Sequence, residues 1–229
     1  MVQRTVRRFG FEHVLGTLLT ALIGFGIWIT LRATWLLAHG GDTSFGGMFK
    51  YPPWVSAHFL SAFVFVLILP FQLWSGTRRR YPRWHRLSGV AAASAGTLFS
   101  LTGLLLPYVM PARPFGERAF MTTVSCALVF MLGRGIASAR LRDLVTHRRW
   151  MLRVTAFAMG PLTQRTLFPF FAAAGIDSLS RFWDLFMTAA WFSLALNIAI
   201  VEWWIRRTAS ERKAQAVELR GITVAVRTA

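Results

Sequence analysis

The sequence predicts an all-α polytopic membrane protein, a six-helix transmembrane bundle. Three observations lead there. Of 229 residues, 55% are hydrophobic and only 15% are charged, whereas a soluble domain carries about a quarter charged residues. A water-soluble domain of this size lacks the interior to hide so much apolar side chain, which excludes an ordinary soluble enzyme and a disordered chain. The apolar residues gather in long runs rather than alternating. Long runs select helices over a barrel, because a helix satisfies its own backbone polar groups in lipid. Finally, the cations sit between the runs, on alternate connections. Ten Trp and 20 Phe against three Tyr suit a lipid solvent. The single cysteine, Cys126, excludes a disulfide framework and a cysteine-rich metal site.

Crossing about 30 Å of hydrocarbon takes about 20 helical residues. The first span is 14–37, behind the basic start Arg4, Arg7 and Arg8. Its apolar run is too long for a signal peptide and no small-residue cleavage site follows, so it is expected to be an uncleaved helix. The Gly- and Pro-rich segment HGGDTSFGGMFKYPP (39–53) separates it from span two, 54–75, where Pro70 predicts a kink. An arginine cluster precedes span three, 87–109, and PYVMPARPFGER (107–118) ends it. Span four is 119–139. Span five is 150–174, with a second kink expected at Pro161, and GIDSLSR (175–181) leads to span six, 182–205. Residues 1–207 thus form one membrane domain, followed by a polar cytoplasmic tail, 208–229, expected to be a short helix.

Lys and Arg set the orientation. With the N-terminus inside, the inner segments hold Arg4, Arg7 and Arg8, then Arg78, Arg79, Arg80, Arg83 and Arg86, then Arg140, Arg142, Arg148, Arg149 and Arg153, and finally the cations after span six. The outer segments hold only Lys50, Arg113, Arg118 and Arg181, and Arg32, Arg134 and Arg165 fall within spans. Both termini are therefore expected in the cytoplasm, in the inner (plasma) membrane of a cell. The same distribution accounts for a net charge of +17 without nucleic acid, and its basic inner face would attract anionic lipids. RRRYPRWHRLSG after span two and RDLVTHRRWML after span four both place His, Arg and Trp at the start of the next helix. A parallel repeat of two helical hairpins and generic interface chemistry both account for this echo.

Polar groups inside spans are costly, so each is a functional candidate. His13, His85 and His147 lie at inner span starts, while His39 and His58 lie toward the outer face. A bis-histidine haem needs two imidazoles on opposite faces of one iron. His85 and His147 share a depth and would suit it if spans three and five adjoin; His58 is too far away to join them. The alternative is that both are interfacial histidines bonded to lipid or backbone. Arg86 and Arg148 follow the two histidines and suit haem propionates or another anion, or act only in topology control. Arg165, near the outer end of span five, is expected to pair with Asp184, to snorkel outward or to bind substrate. Arg32 is expected to snorkel. Gln72 and Asn197 are expected to bond between helices, and Glu202 to pair with Arg206 at i+4. No GxSxG elbow, HExxH or phosphate-cradling loop is present.

HRRWMLR (147–153), followed by Arg165 and Pro169, is similar to the signature of a bacterial predicted-membrane-protein family, domain of unknown function 2306. Upstream, His58, then Pro70-Phe71-Gln72, then Arg83-Trp84-His85-Arg86 with Gly89 resemble that family's order of motifs. Leu69 and Ser88-Gly89-Val90 depart from its usual pattern. The resemblance implies a multi-pass membrane protein without an assigned activity, with His58, His85 and His147 on motif positions. A looser similarity to cytochrome b561-type and ferric-reductase-type membrane haem proteins implies haem b between helices. Two functions follow as expectations. One is single-electron transfer through haem b held by His85 and His147, with Arg86 and Arg148 on the propionates. The other is a non-enzymatic lipid- or solute-binding or transport protein, or a subunit of a membrane complex, in which Arg165, His58 and Gln72 line a cavity.

Overall fold

The computed structural model describes residues 53–109, 114–173 and 175–228 together with Gly24, and side chains as far as Ser210. The first span at 14–37 lies outside the described residues, as do His13, Arg32, His39, Lys50 and Arg113. The described elements are all helical: α1 (Pro53–Leu73), α2 (Ser75–Arg80), α3 (Pro82–Val109), α4 (Phe115–Arg140), α5 (Leu144–Ala158), α6 (Gly160–Ala172) and α7 (Leu179–Thr228). Among the described residues, four segments are long and apolar enough to cross a membrane: α1, α3, α4 and Ser180–Ser210 of α7. Between 28% and 33% of each apolar window is buried within the bundle. Large apolar residues such as Leu60, Val90, Leu105, Phe130 and Ile200 are exposed on the outside. Such surfaces need an apolar solvent. The protein is a multi-pass membrane protein.

Span five differs from its expected form. A single helix kinked at Pro161 is expected over 150–174; instead two helices, α5 and α6, of 15 and 13 residues, stack end to end. Pro161 lacks an N–H and its ring crowds the carbonyl of Phe157, so the ladder stops one turn before it. Together the pieces are about 40 Å long, enough to cross the bilayer. Helix α7 bonds to the break: Asn197 Nδ2 donates to Ala156 O at 3.2 Å, and Thr163 Oγ1 donates to Asn197 Oδ1 at 3.2 Å. Pro70 leaves α1 continuous to Leu73, and the kink expected in span two becomes a helix end at Trp74, whose N–H donates to Pro70 O at 3.0 Å. Helix α7 runs unbroken to Thr228, so the polar tail continues the last span.

Helices α1, α3, α4 and α5 share one apolar core, built on Phe65, Leu69, Ala92, Leu128, Met131, Leu132, Val154 and Ala158. A smaller cluster of Phe120, Ala190 and Leu194 joins α4 to α7. Lipid tails are as apolar as leucine, so close packing and interhelical hydrogen bonds, rather than exclusion of water, hold these helices together. Polar bonds between helices do recur. Gln72 Nε2 donates to Ser88 Oγ at 2.7 Å and to His85 O at 3.1 Å, tying the end of α1 to the first turns of α3. Arg153 grips Glu202 with Nε and Nη2, the latter at 3.0 Å from Oε2, tying α5 to α7.

The connection from α4 to α5 is tight. Arg142 adopts φ 60°, a left-handed conformation that glycine usually supplies at a helix end. Asp143 then caps α5, its Oδ1 accepting from Thr146 N at 3.0 Å. Hydrogen bonds from the Thr146 side chain and backbone hold the Asp143 carboxyl below its ordinary range. This turn delivers His147 onto α4.

Candidate functional site

Chemistry-bearing residues collect at two ends of the bundle. The first is the arginine-rich end, where α1 finishes, α3 begins, and α4 turns into α5. Here His147 Nδ1 lies 2.8 Å from Gly135 O. A carbonyl only accepts, so Nδ1 carries the proton and Nε2 keeps its lone pair. The approach is close because Gly135 lacks a side chain: an added Cβ would fall onto the Met151 methyl. His85 stands three residues into α3, at the same end of the bundle. Its Nδ1 is buried without a hydrogen-bond partner, and its backbone carbonyl is held by Gln72.

The neighbouring arginines divide. Arg86 is exposed beside His85. Arg148 lines a groove between α5 and α7 with Leu152, Trp204 and Thr208. One residue along a helix rotates the side chain by about 100°, so His147 facing α4 turns Arg148 toward α7. The expected pairing of both arginines around one group is thus not what the fold builds. Arg153 stacks on Trp150 at 5.0 Å while holding Glu202. Glu202, expected to pair with Arg206 on its own helix, takes Arg153 across helices instead. A bidentate fork reaching from α5 outcompetes a flexible neighbour one turn away.

The second end is arginine-poor. His58 is 7% exposed, and its Nδ1 lies 3.1 Å from both Phe99 O and Thr102 Oγ1. Thr102 Oγ1 itself donates to Leu98 O at 2.6 Å, so it accepts from the ring. The Nδ1 proton therefore faces these oxygens, and Nε2 keeps a lone pair. Phe99 and Phe59 flank the imidazole, with ring centroids at 4.7 and 5.4 Å. Gly103 leaves room: a Cβ there would come within 3.1 Å of His58 Cε1 and 3.0 Å of Ser125 Oγ.

Arg165 joins this end from α6. Its Nη1 donates to Pro161 O at 3.0 Å. The expected pair with Asp184 does not form: Arg165 has no carboxylate partner among the described residues, and Asp184 is exposed. The reason is angular. Gln164, one position earlier, faces α7 and donates to Phe186 O at 3.0 Å, which turns Arg165 away from that helix. Gln72 is not part of this end either, since it lies about 21 Å along α1 from His58. The expected grouping of Arg165, His58 and Gln72 around one cavity thus splits in two.

Several contributors have no distinctive sequence signal. Gly135, Thr102, Ser88 and Gln164 are common residue types whose partners lie on other helices. Glu202 stands out as an acid in an apolar span, but spacing alone favours its own helix. Among the described residues, no group of three or more His, Cys, Asp or Glu is placed to hold a metal ion.

A family model described as Predicted membrane protein (DUF2306) matches residues 55–205. That range takes in His58, Gln72, His85, His147, Arg165 and Glu202. No curated protein matches the chain, and no solved structure matches it.

Proposed function

The chain belongs to the DUF2306 family of predicted membrane proteins, and from that premise we propose that it transfers single electrons through a b-type haem bound between His85 and His147. The imidazole pair at the arginine-rich end carries this proposal. The two rings come from different helices at one depth, and His147 offers the Nε2 lone pair. His85 has a buried Nδ1 with no partner. An orphaned buried ring nitrogen is costly, and an iron ligand is one way to satisfy it.

Haem, when bound, supplies a one-electron couple, and the protein supplies its ligands and surroundings. Gly135 O orients the His147 ring, fixes its tautomer and raises its basicity, as partners behind metal-bound histidines do. Gln72 steadies the backbone of His85. The shared apolar core beneath, from Phe65 to Val154, excludes water and lowers the local dielectric. Arg86 supplies positive charge toward the propionates. In this proposal the arginine-rich end faces the cytoplasm of a cell with both termini there, against anionic lipid headgroups.

The test is a visible spectrum of protein purified in mild detergent from haem-replete cells. A Soret band that shifts on reduction is expected. His85→Ala and His147→Ala should each abolish it, while His58→Ala should keep it. No band in the wild type, or a band retained in both variants, overturns the assignment. A reporter fused after Arg207 should read as cytoplasmic.

A further inference from the structure

We propose that the groove between α5 and α7 at the arginine-rich end binds one anionic phospholipid, its phosphate on Arg148 and Arg149 and an acyl chain along α7. The site is independent of the haem assignment and needs only that this end stands at a membrane surface. It gives a role to Arg148, which the fold turns away from His147. Arg148 and Arg149 line a single groove together with Val145, Leu152, Trp204 and Thr208. Arg149 is exposed and Arg148 half-buried, so the groove is open at its cationic end.

The groove is graded in polarity along the membrane normal. Helices α5 and α7 are antiparallel, joined by Arg153 with Glu202 and by Ala156 with Asn197. Helix α5 therefore runs inward from the arginine-rich end while α7 runs out toward it. Arg148 and Arg149 share the outer level with Thr208, and Leu152, Trp204 and Ile205 line the groove about one turn, or 5.4 Å, deeper. Thr208 turns its hydroxyl back onto Trp204 O at 2.9 Å, so the outer level is cationic and the inner level apolar. A free anion would use only the outer level; a phospholipid uses both.

The apolar level continues into the bilayer. Trp204, Ile200 and Leu196 follow one another at four-residue steps, the spacing of a helix ridge. Ile200 is 46% exposed and Leu196 38% exposed, so the ridge faces lipid. From Thr208 to Leu196 it covers about 18 Å, a little more than one leaflet of a hydrocarbon core about 30 Å thick. That is the run an acyl chain needs when its phosphate sits at the outer level. Two guanidinium forks match the phosphate oxygens, and basic pockets between membrane helices suit anionic headgroups. The acids closest in the chain are engaged elsewhere: Asp143 Oδ1 accepts from Thr146 N, and Glu202 is held by Arg153.

The test uses the full chain in a nonionic detergent, with bound lipid counted by native mass spectrometry. The probes are phosphatidylglycerol, phosphatidylcholine with the same acyl chains, and glycerol phosphate, which has the anion without the chains. Phosphatidylglycerol should saturate a first site at one lipid per chain, about tenfold or more tighter than either other probe. Replacing Arg148 and Arg149 together by Gln should weaken phosphatidylglycerol by about tenfold or more, the scale of charge-assisted hydrogen bonds, and leave phosphatidylcholine unchanged. Replacing both by Lys, which keeps the charge and loses the fork, should weaken it less, and decides the matter if the Gln variant does not fold. Arg79→Gln, on an exposed arginine of α2 at the same end, should change nothing. Equal affinity for the two lipids, glycerol phosphate binding as tightly as the lipid, wild-type affinity in the paired variants, or an equal loss in Arg79→Gln overturns the proposal. So does failure of phosphatidylglycerol to saturate, which would leave the groove to a protein segment. The haem spectrum plays no part in these readings, so the two proposals fail separately.

Discussion

The two ends of the bundle use positive charge in opposite ways. At the arginine-rich end, cations are many and mostly exposed, and single members carry little. At the other end, Arg165 is embedded in α6 and has no carboxylate partner among the described residues. A cation costs little at an interface and much in hydrocarbon. The isolated Arg165 therefore carries more functional information than the whole cluster from Arg78 to Arg86.

A pair of glycine substitutions would test the separation most severely. Gly135→Leu collides with Met151 beside His147, and Gly103→Leu collides with His58 and Ser125. Each overpacked site is expected to lose about 1–3 kcal/mol of stability. Gly135→Leu should disturb the haem spectrum, and Gly103→Leu should leave it intact. Visible spectra and thermal unfolding of the same samples check this, and loss of the spectrum in Gly103→Leu would merge the two ends.

Next in size is the Arg153–Glu202 pair, which ties α5 to α7 at the arginine-rich end. Glu202→Gln should destabilise the protein by about 1–2 kcal/mol, through loss of charge-assisted bonds at a partly buried site. Arg140→Gln, on an exposed residue, should stay within about 0.5 kcal/mol of wild type. Thermal unfolding in detergent distinguishes them.

Two smaller effects concern the turn between α4 and α5. Arg142→Gly should raise stability by about 1 kcal/mol, because the left-handed backbone there disfavours a side chain. Asp143 has its folded carboxyl held down by Thr146, so its contribution is present above the ordinary carboxylate range of about 4 and is lost as pH falls through the folded value. Asp143→Asn keeps an acceptor for Thr146 without titrating. Its unfolding temperature should therefore fall slightly less than wild type between pH 5 and pH 2, about the range of carboxylate titration.

Much of this fold can be read from the sequence. Helices cover the stretches read as spans two, three, four and six, with α7 running on past 205, because twenty apolar residues in a row admit only a helix in lipid. Pro161 marks the interruption in span five, although not that it divides the span into two helices braced by Asn197. Within the sites, the residue types were legible and their grouping was not. His58, His85, His147 and Arg165 stand out as polar residues in or beside apolar runs. The companions of each depend on helix rotation, as with Gln164 turning Arg165 away from Asp184.

Hydropathy and the alternation of arginines alone determine that this chain crosses a membrane several times and which connections share a side. Those properties depend on transfer free energies, which sum residue by residue along the chain and require no knowledge of neighbours. Only the tertiary structure decided that Glu202 holds Arg153, that Gln72 serves His85, and that Gln164 rather than Arg165 bonds to α7. Each of those pairings depends on which face a helix turns to its neighbour, and a rotation of one residue, about 100°, exchanges one partner for another.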